Sequence, residues 1–149
     1  MLDNPSPIIH EIEVKYTRPS GMLDVEDIYS VIRGIRDPEH PYTLEQLRIV
    51  SRPQIKIDLA SHQLLIKFTP TVPHCSLSSL IGLMIRVKLQ RYLPHIIKIN
   101  IYIEEGTHYQ EVELNKQLND KERVSAAMEN QHLMDVVENN IGEWGMYEN

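Results

Sequence analysis

Three stretches alternate apolar and polar residues so regularly that they restrict the fold before anything else is considered. In "QIKIDL", Ile55, Ile57 and Leu59 alternate with Gln54, Lys56 and Asp58; in "LLIKF", Leu64, Ile66 and Phe68 share a face; in "IIKINIYIEEG", Ile97, Ile99, Ile101 and Ile103 do the same. Successive side chains of a strand point to opposite faces, so a period of two reads as a strand with one face buried. "ASHQ" joins the first two stretches as a hairpin turn. The result is a sheet with one apolar face, and something must cover it.

The cover is "SLSSLIGLMIRVKLQRYLP", where Leu77, Leu80, Ile81, Met84, Ile85 and Leu89 form a wide apolar stripe at helical spacing. Arg86, Lys88 and Arg91 crowd its C-terminal turns, where the helix dipole favours cations, and Pro94 ends it. An earlier helix starts at Asp24, which can cap, with Asp27 in the first turn; Val25, Ile28, Tyr29, Ile32 and Ile35 recur at helical spacing. It stops before Pro38, and "DPEHP" is a rigid polar turn. In "NDKERVSAAMEN", Asn119 and Glu122 have capping-box spacing, and "QHLMDVVENNI" sets Leu133, Val136, Val137 and Ile141 on one stripe, so short helices end the chain. This order predicts an α+β fold: a small, three- to four-stranded, mostly antiparallel sheet covered by helices, with short C-terminal helices. Residues 1–22, broken by Pro5, Pro7, Pro19 and Gly21, read as a flexible arm, residues 23–141 as the domain, and residues 142–149 as a flexible tail.

A chain of 149 residues can bury a core without a disulfide or a structural metal. Its single cysteine cannot form an intramolecular disulfide, which fits a reducing compartment. The net charge of -6 gives no overall electrostatic footprint for nucleic acid and points to protein partners. "MLDNPSPIIHEIEVKY" lacks the marks of a signal peptide, and no apolar run reaches the length of a membrane span.

The chain has no P-loop, dinucleotide fingerprint, paired-cysteine zinc motif or nucleophile elbow. Chemistry therefore centres on Cys75. It follows "FTPTVPH" at the mouth of the covering helix, where unpaired backbone N–H groups stabilise a thiolate. The alternative is a small buried hydrophobe, a common fate for cysteine. A polar, proline-stiffened approach favours presentation of the thiol. "IRDPEHP" offers Asp37, Glu39 and His40, either as a solvated turn or as a carboxylate patch that meets the cysteine loop. "EEGTHYQEVE" offers Glu104, Glu105 and His108 after the last strand. Cys75, His74 and His108 suit iron or zinc, but are too few for a closed zinc site. A cysteine hydrolase lacks an oxyanion loop, and His74, the immediate neighbour, is poorly placed as its base.

"IRDPEHPYTLEQL", "FTPTVPHCSLSSLIGLMIRVKLQRYLP" and "EGTHYQEVELNKQLNDKERVSAAMEN" together resemble the cytosolic iron–sulfur assembly component 2 (MIP18-like) family, eukaryotic relatives of the SufT and PaaD-type proteins. The resemblance runs from about residue 25 to residue 140, and "VPHCSL", "RVKLQR" and "AAMEN" are closer to the A-type paralogue than to the B-type. It implies an adaptor, not an enzyme, that binds a WD40 propeller subunit and helps to deliver [4Fe–4S] clusters to cytosolic and nuclear apo-proteins. It further implies cytosolic aconitase (iron regulatory protein) as an A-type client, a HEAT-repeat adaptor as a B-type partner and a domain-swapped homodimer. The family's reactive cysteine maps to Cys75, its acidic turn to Asp37 and Glu39, its threonines to Thr69 and Thr71, its "GTH" histidine to His108, and its "NDKERV" segment to Lys121, Glu122 and Arg123. One thiolate cannot hold a [4Fe–4S] cluster alone, so no stably bound cofactor is expected, only transient cluster, iron or zinc. Two other readings stand beside this one: a tether in which Cys75 only packs, and a thiol-dependent enzyme.

Overall fold

The computed structural model describes residues 23–71, 75–93, 97–106 and 110–141, and at Cys75 the backbone alone. The N-terminal arm, the C-terminal tail, His74 and His108 lie outside the described residues. Helix α1 (Val25–Ile32) begins as its sequence requires. The Asp24 carboxylate accepts from the Asp27 N–H at 3.1 Å, and the Asp27 carboxylate accepts from the Asp24 N–H at 2.8 Å, a reciprocal capping box. The helix ends before Ile35, yet Ile35 is still buried, held by the pairing of Arg36 with Thr43.

Strands β1 (Ile55–Asp58), β2 (Gln63–Phe68) and β3 (Lys98–Ile103) form one sheet in that order. β1 and β2 are an antiparallel hairpin, with Ile55 opposite Ile66 and Ile57 opposite Leu64; His62 takes the positive φ of 57° that closes its turn. β2 and β3 are parallel, with Leu64 beside Ile99, Ile66 beside Ile101 and Phe68 beside Ile103. The sheet is thus mixed. Parallel neighbours need a crossover, and the 18-residue helix α2 (Cys75–Tyr92) supplies it.

α2 is more than a cover. Leu77, Ile81, Met84, Ile85 and Leu89 are buried as the stripe predicts, but so are Leu83, Val87, Ser78, Arg86 and Lys88. The helix is enclosed by α1, the sheet, and two further helices, α3 (Glu111–Asn119) and α5 (Gln131–Ile141). Arg86 and Lys88 are therefore not solvent-facing cations of a last turn; only Arg91 keeps that role, pairing with Glu138 of α5. Gly82 lies tight against α3, because a Cβ there would overlap a methyl of Leu118.

α3 fastens the far edge of the sheet. The Asn119 amide nitrogen donates to the carbonyls of Ile101 (2.7 Å) and Asn115 (2.8 Å), while its oxygen accepts from the Ile101 N–H (2.9 Å) and from Arg86 (3.0 Å). Asn115, one turn earlier, accepts from the Ile103 N–H at 2.8 Å. The cap of α4 (Lys121–Met128) is consequently Asp120, which accepts from the N–H groups of Glu122 and Arg123. Asn119 is not the cap that its spacing predicts, because its side chain is committed to β3.

These buried polar groups govern stability in two ways. Asn119→Ala leaves several buried partners unsatisfied and should destabilise the fold by about 3 kcal/mol in urea unfolding, against about 1 kcal/mol for the cap change Asp120→Ala. Burial pushes the Lys88 amine from 10.5 down to about 8. Below about pH 8 both folded and unfolded chains carry the proton, so the cost of burying the charge is fully present. Between about pH 8 and 10 only the unfolded chain keeps it, so stability should rise with pH, by about 2 kcal/mol. Above that window Tyr29 opposes the trend, because burial and the nearby Glu45 push its hydroxyl up to about 12. Urea midpoints measured from pH 8 to 10 should climb for the wild type and stay level for Lys88→Met.

Candidate functional site: the mouth of the parallel strand pair

Because β2 and β3 run in the same direction, their carboxyl ends emerge together, and α2 starts from that edge. Connections at the carboxyl ends of parallel strands are where ligand-handling groups collect in sheets crossed by helices. Two strand exits are joined at this end, the threonine-bearing exit from β2 and the acidic exit from β3, and the chain goes on from the first of them into α2.

The exit from β2 is held in place. The Thr69 N–H donates to the Ile49 carbonyl at 2.9 Å, and its hydroxyl accepts from the Gln54 amide at 3.0 Å. The same amide nitrogen donates to the Glu104 carboxylate at 2.8 Å, while the Gln54 oxygen accepts from the Ser51 hydroxyl. Gln54 thus ties the ends of both strands, a role that its place in an alternating strand pattern does not signal. Thr69 is a structural tether, whereas Thr71 is exposed. Glu105 pairs with Lys67 at 3.5 Å.

Cys75 is the first residue of α2, at the end of the helix whose leading N–H groups lack intrahelical partners. Three residues on, on the same helical face, the Ser78 hydroxyl is fully buried and has no hydrogen-bond partner among the described residues. Sequence reasoning passed over Ser78, since serine near a helix start usually reads as a cap. A cavity of about 350 Å³ lies beside this turn, with Ser76, Ser79 and Leu80 of α2 facing Arg123, Val124 and Leu133. The segment Lys121–Arg123 is therefore divided. Arg123 faces the cavity by the first turn of α2 and pairs with Glu113 at 3.1 Å, Lys121 faces a second cavity on the sheet edge, and Glu122 lends its N–H to the cap.

Asp37 is not part of a solvated turn. It is buried, and one carboxylate oxygen accepts from the N–H groups of Glu39 (2.7 Å) and His40 (3.1 Å), with the His40 ring at 3.4 Å. The other oxygen is buried and unpaired among the described residues. The turn needs this acceptor inside it, which is why the carboxylate goes in while Glu39 stays exposed. The Arg36 N–H anchors the turn to the Asn140 carbonyl at the end of α5. Among the described residues, no three histidines, cysteines or carboxylates converge as a metal site.

The chain matches a family model described as "Iron-sulfur cluster assembly protein" over residues 25–101. It is 44% identical to the mouse protein "Cytosolic iron-sulfur assembly component 2B", over 92% of this chain and 89% of that one. It is 56% identical to the Drosophila "MIP18 family protein galla-1", over 78% of this chain and 55% of the relative. It is 51% identical to the Drosophila "MIP18 family protein galla-2", over 83% of this chain and 79% of the relative.

Proposed function

The chain belongs to the iron–sulfur cluster assembly protein family, and from that premise we propose that it is a non-catalytic adaptor of cytosolic iron–sulfur protein maturation. It binds a WD40 propeller subunit, and Cys75 takes part in passing [4Fe–4S] clusters to apo-proteins of the cytosol and nucleus. The observation that carries this reading is the position of Cys75 as the first residue of a long, enclosed helix, at the carboxyl ends of two parallel strands.

The cluster is cargo. Thiolate sulfur is its natural ligand, and one thiolate leaves three corners of a cubane for others to hold. Transfer is an exchange of thiolates at iron, so it needs no change of oxidation state and no catalytic base. The helix start favours the anionic sulfur, and the buried Ser78 hydroxyl, without a partner among the described residues, lies one turn in. Asp37 acts by fixing its turn, Thr69 by fixing the approach to the helix, and Thr71 and Glu39 remain exposed for contact with a partner. His74 and His108 stay as second ligands to be tested. The A-type motifs make cytosolic aconitase the first client to examine, and the HEAT-repeat adaptor and the swapped homodimer belong to the same proposal.

A tagged pull-down from cell extract tests this, comparing wild type with Cys75→Ala. The propeller should be retained by both, while clients recovered with the mutant should lose their cluster absorbance and iron. If the mutant retains propeller, clients and full clusters, the thiol only packs and the protein is a tether.

A further inference from the structure

The outer edge of β3 is covered along only part of its length. In a parallel pair, alternate residues turn both backbone groups towards the neighbour, and the residues between turn theirs away. The N–H groups of Lys98 and Glu104 bond back to His62 and Phe68 at 2.8 Å, so the even-numbered residues face β2. Ile99, Ile101 and Ile103 therefore present their backbone to the open side. Asn119 occupies both groups of Ile101, and Asn115 takes the N–H of Ile103. No described residue takes those of Ile99.

Beside Ile99 lies a cavity of about 690 Å³ between β3, α2 and α4. Its lining includes Lys98, Lys121 and Arg86 and no carboxylate, although the chain has 21 acidic residues against 15 basic ones. Arg86 is already bonded to the Leu118 carbonyl and to Asn119. Lys98 and Lys121 are exposed and, among the described residues, pair with no carboxylate. Val124 and Met128 of α4 give the cavity an apolar wall.

We propose that an acidic, extended segment of a partner protein adds to the sheet at Ile99 as a fourth strand, its backbone paired with the Ile99 N–H and carbonyl and its carboxylates set against Lys98 and Lys121. Main-chain pairing gives such strand addition its affinity, and alternate side chains give it specificity. The two asparagines limit the register, because they close the edge from Ile101 onward. The surface is separate from the first turn of α2, so it does not depend on what Cys75 does.

The whole protein is titrated with a capped peptide alternating glutamate and valine, and the Ile99 amide is followed by NMR hydrogen exchange. Its exchange should slow by about tenfold on binding. The double change Lys98→Glu with Lys121→Glu should weaken binding by roughly tenfold with an unchanged melting temperature, since both side chains are exposed and a glutamate suits the first turn of α4. Cys75→Ala should bind as the wild type does. The same peptide N-methylated at alternate backbone nitrogens should not bind. The proposal is overturned if the peptide does not bind, if it binds with Ile99 exchange unaltered, or if the N-methylated form binds equally well, which would reduce the contact to charge attraction.

Discussion

The parallel pairing of β2 with β3 is the constraint from which the rest of the architecture descends. Two neighbouring parallel strands cannot be joined by a tight turn, so the chain must travel back along the sheet, and it does so as α2. A crossover lying on a small sheet has its outer face still to bury. Here α1, α3 and α5 close around it, and side chains as polar as Arg86 and Lys88 become interior. The same geometry brings the start of α2 and the exits of both strands to one edge. Cys75 is placed by the topology before any side-chain detail matters.

Asn119 shows how a single polar residue holds that arrangement at its open side. It substitutes for a neighbouring strand at Ile101, binds Arg86, and ends α3, so the edge, the enclosed helix and the C-terminal helices share one amide. An edge strand with free backbone groups invites pairing. Among the described residues the invitation is withdrawn at Ile101 and Ile103 and left standing at Ile99, beside two lysines that pair there with no carboxylate.

Most of the fold was legible in the sequence, because its patterns come from burial and burial is what the fold satisfies. The alternating isoleucines located β1, β2 and β3, and Asp24 located the start of α1. α3 was not legible: it has no capping side chain at Gln110, and only Leu114 and Leu118 are buried. The cap of α4 was read one residue early, since spacing cannot tell that Asn119 is engaged elsewhere. Parallel pairing was hidden as well, because alternation is the same whichever way a neighbour runs. Of the candidate site, the place of Cys75 at a helix start was readable from "TPTVPHC" and the apolar stripe behind it. Gln54 and Ser78 were not, as their roles arise from contacts across the fold. Asp37 was found by its turn motif, yet its burial was not, since a polar turn usually faces water.

Cluster handover by this chain requires that the start of α2 present a reactive thiolate. Cys75 is the sole cysteine, so the pH dependence of its alkylation by iodoacetamide in the folded protein can be read without background. A thiol stabilised by the leading N–H groups of α2 should react under native conditions with a midpoint below the ordinary value of about 8.5. A midpoint at or above that value, or labelling that appears only on unfolding, would contradict it and make Cys75 a packing residue.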